Sequence, residues 1–324
     1  VSHVYAPYDY PGAIARFLRH WQPCALVVME TELWPNTLAA ARRQGLPVLL
    51  ANARLSERSA RGYAKAGALT REMMQNLSIV AAQDQAAASR FCALGVPSAR
   101  VVVTGSLKFD ITISVGQTAL AQAWREQHAL LGRPVWVAAS THPGEDEPVL
   151  AAHALLRQHL PDALLILVPR HPERFQGVAE LIDATGLRYA RRSTQAPVQA
   201  DTAVWLGDSM GELMSWLALA QAAFVGGSLV PRGGHNALEP LALGVPALTG
   251  PHDFNFASIN AELSAAGALQ TVQDAAALAD ALYALLTDSE LAQARREAGL
   301  RVIAANQGAV ARQLALLTPL LPPA

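Results

Sequence analysis

Apolar and polar positions fall in blocks along this chain. Short apolar runs at 24–29 (C-A-L-V-V-M), 47–51 (P-V-L-L-A), 79–82 and 101–104 are separated by helix-length segments at 12–20, 38–44, 64–76 and 84–94. The second half keeps the rhythm, with runs at 135–139, 164–168, 203–206, 222–225 and 246–248. Continuous apolar runs bounded by turn signals and alternating with helical segments read as strands covered on both faces, so the pattern predicts an α/β chain with parallel sheets. A helix at 119–130 closes the first block, and Gly132-Arg133-Pro134 breaks the chain before the next strand. Such a break predicts a domain boundary there, giving domains 1–131 and 132–324. The opening Val-Ser-His-Val-Tyr reads as the end of a strand already in progress, so the first domain is expected to be N-terminally incomplete.

Composition adds size and excludes some partners. A chain of 324 residues that is 52% hydrophobic and 16% charged can bury two cores. A net charge of −1 gives no basic surplus for neutralising phosphates, which argues against nucleic acid. Residues 1–130 carry 13 Lys/Arg against 8 Asp/Glu, and the remainder 12 against 18. The basic first part is either ordinary surface composition or a seat beside anionic lipid. The segment 12–21 sets Ile14, Phe17, Leu18 and Trp21 at helical spacing with Arg16 and Arg19, a stripe that either faces a core or touches lipid head groups. Cys24 and Cys92 stand far apart in apolar surroundings, predicting two buried, reduced thiols in a cytoplasmic environment. No metal-ligand spacing occurs, so neither metal nor cofactor is expected. No apolar run reaches the ~18–20 residues that span a bilayer, and no signal-peptide pattern opens the sequence.

The candidate chemistry lies where strands end, the place where open α/β sheets bind ligands. In M-E-T-E-L-W-P-N (29–36), Glu30 and Glu32 either cap the next helix and pair with Arg54 or Arg58, or one of them shapes a reaction centre. In T-G-S-L-K-F-D (104–110), Lys108 is either a solvated lysine or a compact cation for developing negative charge. P-R-H-P-E-R (169–174) puts Arg170 at a strand end, suited to a phosphate, and His171 near it, for acid–base work or for orienting neighbours. G-D-S-M-G-E-L (207–213) exposes amides at a helix start. F-V-G-G-S-L-V-P-R-G-G-H-N-A-L-E-P (224–240) combines two glycine pairs with Asn236 opening a helix and Glu239 placed to accept ribose hydroxyls. Neither the P-loop pattern nor the dinucleotide glycine fingerprint is present.

These segments, together with A-N-A-R-L-S-E-R-S (51–59) and A-A-S-T-H-P-G-E (138–145), spread over nearly the whole chain and resemble the 3-deoxy-D-manno-octulosonic acid (Kdo) transferase family. The resemblance implies a GT-B fold, two doubly wound Rossmann-like domains facing across a cleft, with 1–131 on the acceptor side and 132–324 binding the donor. It implies inverting, metal-independent transfer of Kdo from CMP-Kdo to a lipid A precursor (lipid IVA) at the cytoplasmic face of the inner membrane, in lipopolysaccharide core biosynthesis. Carried over by motif, Glu30 and Lys108 are catalytic; Pro169, Arg170, Met210, Gly211, Glu212, Asn236, Ala237, Leu238 and Glu239 bind the donor. Members of the family carry an N-terminal membrane anchor and an upstream glutamate that deprotonates the acceptor. Neither lies in this sequence, so the exact polypeptide is expected to transfer slowly. The alternatives are another GT-B nucleotide-sugar transferase or an epimerase, or a donor-binding fragment without its general base.

Overall fold

The computed structural model describes residues 2–322. Eleven strands form in the described residues: β1 Leu26–Met29, β2 Val48–Ala53, β3 Ile79–Ala82, β4 Val101–Val103, β5 Val135–Thr141, β6 Leu164–Pro169, β7 Tyr189–Arg191, β8 Val204–Leu206, β9 Ala222–Val225, β10 Ala247–Thr249 and β11 Leu269–Thr271. All pairings are parallel, in a four-stranded sheet of order β1-β2-β3-β4 and a seven-stranded sheet of order β11-β10-β9-β5-β6-β8-β7. The α/β reading is thus correct. The sequence missed β7 and β11, which are three residues each and contain polar side chains.

The larger sheet is explained by its side-chain alternation. Along β5, Trp136 and Ala138 enter one core while Val135, Val137 and Ala139 enter the other. Leu165 and Leu167 of β6 follow Trp136, and Leu164, Ile166 and Val168 follow Val135. Both faces are therefore apolar, as a sheet buried between two helical layers requires. Strand order reverses between β5 and β9, the topological switch point at which such sheets open a crevice.

Packing divides the chain differently from the 131/132 boundary. One compact unit runs up to Asp110 and takes in the residues from Asn306 onward; the other is Ile111–Ala305. The helix Val115–Gln127 belongs to the second unit because Trp124 stacks on Trp216, ring centres 4.2 Å apart, and meets Trp205 edge-on at 5.6 Å. The helix Ala309–Leu317 belongs to the first: Leu316 and Leu317 cover Leu49, Ala51 and Ala81. The Gly-Arg-Pro break joins a helix to β5 inside the second unit.

Other local expectations need correction. The segment 64–76 is two helices, Glu57–Lys65 and Gly67–Gln75, divided where Gly67 takes φ +47°. Ser2–Asp9 forms no strand. Cys24 is exposed because it precedes β1 instead of lying within it, and Cys92 is half-buried near a helix end. The helix Pro11–Trp21 buries Ile14 and Leu18 while leaving Trp21 exposed, so its apolar stripe faces the core and its end does not. Among the described residues no helix is long and apolar enough to cross a membrane.

Candidate functional site

A cavity of about 330 Å³ opens at the carboxyl ends of the seven-stranded sheet, beside the switch point. Its wall takes Ser140 from β5, Val168, Pro169 and Arg170 from the end of β6, Ser209, Met210, Gly211 and Leu213 from the turn after β8, and His235, Asn236 and Glu239 from the long turn after β9. Four strand ends thus converge, and six of the nine expected donor-binding residues lie on one rim. Gly226 makes the convergence possible: a Cβ there would meet the Ser140 carbonyl oxygen at 2.7 Å, so any larger residue would push β9 from β5. Gly211 takes φ +81°, which turns the chain into the helix Leu213–Leu219.

The remaining three are arranged otherwise. Ala237 and Leu238 are buried in the core, leaving only their backbone for a ligand. Asn236 Oδ1 accepts the Leu238 N–H at 3.2 Å, an Asx turn that leads into the helix from one residue ahead of its N-cap, Ala237. The Glu212 carboxylate accepts from Arg192 at 2.9 and 3.2 Å and from the Ser209 hydroxyl, so its side chain braces the turn.

Charge in the cavity is set by burial. Burial raises the Glu239 carboxyl above its ordinary value, opposed by a hydrogen bond from Asn236 and by the facing Arg170 guanidinium. His142 and His235 meet through their Nε2 atoms at 2.8 Å with ring planes 12° apart. A centroid separation of 5.0 Å at that N–N distance means the rings lie edge to edge and share one hydrogen. Burial, His142, Arg170 and His171 push His235 down to about 4. His142 is also lowered, by burial first and by His171, Arg232 and Arg174, against Glu145. His171 packs edge-on against His142, 5.3 Å between centres, an orienting contact.

Two supporting groups went unassigned at the sequence level. Glu145 is fully buried, and its carboxylate accepts the N–H groups of Gly227 (2.6 Å), Ser228 (2.9 Å), Leu229 (2.9 Å) and His142 (2.9 Å). It holds the glycine loop in place from beneath. Arg174 donates to the Thr141 carbonyl at 2.7 Å and pairs with buried Asp146, so the two arginines of P-R-H-P-E-R divide into one at the cavity and one behind it. Both groups were visible as motif letters, yet nothing in the spacing says which backbone they hold.

The first unit gathers a second group. Glu30 follows β1 at φ +55°, a left-handed conformation costly for a non-glycine residue, and its carboxylate pairs with Arg54 at 2.8 Å. Glu32 accepts from Trp34 Nε1 at 3.1 Å. Neither caps the helix Pro35–Arg43; Asp9 does, accepting the N–H groups of Asn36 (2.9 Å) and Thr37 (2.8 Å). Burial lowers the Lys108 ammonium, with Glu30 opposing and Arg54 reinforcing, so the three charges sense one another. A mostly apolar cavity of about 540 Å³ lies beside β1, bounded by Ile14, Phe17, Leu26, Val28, Trp34 and Leu38 among others.

An all-parallel α/β chain whose larger sheet is doubly wound, with a cavity at its strand ends, and whose smaller sheet runs β1-β2-β3-β4 without reversal, has the architecture of the GT-B class. Anabaena Alr3699/HepE, solved in complex with UDP, has this fold, with a TM-score of 0.57 at 13% identity over 95% of this chain and 82% of that one. Residues 1–111 match the family model described as 3-deoxy-D-manno-octulosonic-acid transferase (kdotransferase). The chain is 44% identical over 326 aligned residues to the 3-deoxy-D-manno-octulosonic acid transferase of Haemophilus influenzae, covering 99% of this chain and 75% of that protein. It is 40% identical to that of Bordetella pertussis, covering 97% and 73%. The C-terminal CMP-Kdo binding domain of WaaA from Acinetobacter baumannii matches at 39% identity and a TM-score of 0.57, covering 59% of this chain and 99% of that domain. The chain belongs to the Kdo transferase family and is a glycosyltransferase.

Proposed function

We propose that the chain moves Kdo from CMP-Kdo to a lipid A precursor, lipid IVA, with inversion and without a metal, at the cytoplasmic face of the inner membrane. The observation that carries the donor assignment is the single rim on which Arg170, the amides of Met210 and Gly211, Asn236 and Glu239 meet. In this reading the second unit is the donor side and the first the acceptor side. The Arg170 guanidinium grips the phosphate through its planar fork. Glu239 accepts the ribose hydroxyls, and the amides at the helix starts take the base edge and phosphate oxygens. As the C–O bond to the departing phosphate lengthens, negative charge grows on that phosphate and is met by Arg170 and these fixed dipoles.

Glu30 and Lys108 are assigned transition-state stabilisation, with Arg54 joining them. Glu30 sits at the strand end in a conformation that the chain holds only under constraint, and Lys108 is partly desolvated, which strengthens its field. The apolar cavity beside β1 offers a surface for acyl chains, and the exposed Tyr5, Tyr8, Tyr10 and Trp21 near Arg16 and Arg19 suit a lipid–water boundary.

The test is mass-spectrometric detection of Kdo on lipid IVA after incubation of the full chain with CMP-Kdo, with UDP-sugars in parallel. Kdo addition from CMP-Kdo alone is expected. Transfer from a UDP-sugar in its place would overturn the assignment.

A further inference from the structure

Asn52 is the least ordinary residue of the first unit that the proposed chemistry does not use. It lies near the carboxyl end of β2, only 4% exposed, at φ +50°. The register between β2 and β3 slips between Leu50 and Ala53, so Asn52 bulges out of the ladder and its polar groups must find other partners. All of them do. Its N–H donates to Gln313 Oε1 at 3.0 Å, its carbonyl accepts from Gln83 Nε2 at 2.9 Å, and its Oδ1 accepts the Leu107 N–H at 3.1 Å.

That last bond reaches the turn Leu107–Phe109, one residue from Lys108. The same stretch of chain holds the other two charges. The Ala51 carbonyl accepts the Glu30 N–H at 2.9 Å, and Arg54 pairs with the Glu30 carboxylate at 2.8 Å. Residues 51–54 therefore tie the Glu30 backbone and side chain to the backbone beside Lys108. Only asparagine, aspartate and glycine tolerate a left-handed backbone readily, and of these glycine lacks the acceptor.

We infer that Asn52 is a positioning residue, whose side-chain oxygen, held in a left-handed bulge, fixes the Lys108 turn against Glu30 and Arg54. The inference rests on the roles proposed for Glu30 and Lys108. Its consequence is that the bulge could keep its backbone shape as glycine and still lose the alignment of the lysine.

Lys65 and Lys108 are the only lysines in the sequence, which makes a direct readout available. In the 324-residue chain carrying [ε-13C]lysine, the Lys108 signal of the wild type is expected to titrate below the ordinary lysine value. In Asn52→Gly it should move up toward that ordinary value, with the folded state retained and the KM for CMP-Kdo nearly unchanged. The kcat for transfer should fall about tenfold or more, the scale of effect that a small misplacement of a reacting group produces. Asn52→Asp keeps both the acceptor and the backbone preference and should restore most of kcat. Unchanged Lys108 titration in Asn52→Gly overturns the inference, as does a normal kcat in that variant while Lys108→Ala is inactive. If Lys108→Ala itself turns over normally, the proposed role of the lysine fails; a titration shift in Asn52→Gly would still support the positioning.

Discussion

His153 has one permitted protonation state. Its Nδ1 accepts from Trp136 Nε1 at 3.1 Å, so its Nε2 must donate to the Ala203 carbonyl at 2.8 Å, and an accepting Nδ1 needs the neutral ring. Burial pushes its pKa from 6.5 to about 3, and His235 is held down to about 4. Both shifts are downward, so each histidine contributes stability that is present above 6.5 and lost as pH falls toward its folded value. Below 6.5 the unfolded chain takes up protons that the folded one refuses. Denaturant unfolding between pH 6.5 and 5 should therefore show stability falling, by up to roughly 1.4 kcal/mol per pH unit from the buried His153 and by less from the half-buried His235, whose charge water screens. In His235→Asn the slope should be shallower, and a flat profile in the wild type would contradict this account. Glu145 makes a comparable case without a titration. Replacing its carboxylate with the amide of Glu145→Gln turns one acceptor toward the loop amides into a donor. This should cost about 1–3 kcal/mol and weaken CMP binding, both measurable by denaturation and calorimetry.

At the level of elements, apolar runs located every strand whose interior is uniformly apolar: 79–82 and 222–225 agree to the residue with β3 and β9. They failed where a strand is short and mixed, as in Tyr189–Arg191, whose pairing with β8 comes from the sheet and not from its own composition. Packing divides the chain elsewhere than at the 131/132 turn for a related reason. A Gly-Arg-Pro turn marks the end of a helix but not the partner on which the helix packs, and Trp124 finds that partner at Trp205 and Trp216, far along the chain. Trp124→Ala should thus destabilise the second unit by about 3–5 kcal/mol. Calorimetry that shows the first unit's transition moving instead would contradict the assignment of this helix. Cavity residues were legible because strand-end motifs name them. The groups that brace the two sites, Glu145, His142 and Asn52, were not, since each acts on a partner brought near only by the fold: loop amides for Glu145, the His235 ring for His142 and the Leu107 N–H for Asn52.

For the molecule as a whole, each unit contains a parallel sheet with its own core, and the charged residues that matter are carried at or just beyond strand ends. This is why family motifs scattered over the entire sequence collapse to two small groups. One is the Arg170–Glu239 rim of the second unit; the other is the Glu30–Arg54–Lys108 cluster of the first. The account depends most on the first of these being the seat of the cytidine nucleotide. Isothermal titration of CMP into the wild type, Arg170→Ala and Glu239→Gln, with UDP as the competing nucleotide, tests it most directly. CMP should bind the wild type in preference to UDP, and each substitution should weaken it by about tenfold or more, the loss of a charge-assisted hydrogen bond. CMP affinity that is unchanged in both variants, or a preference for UDP, would contradict it.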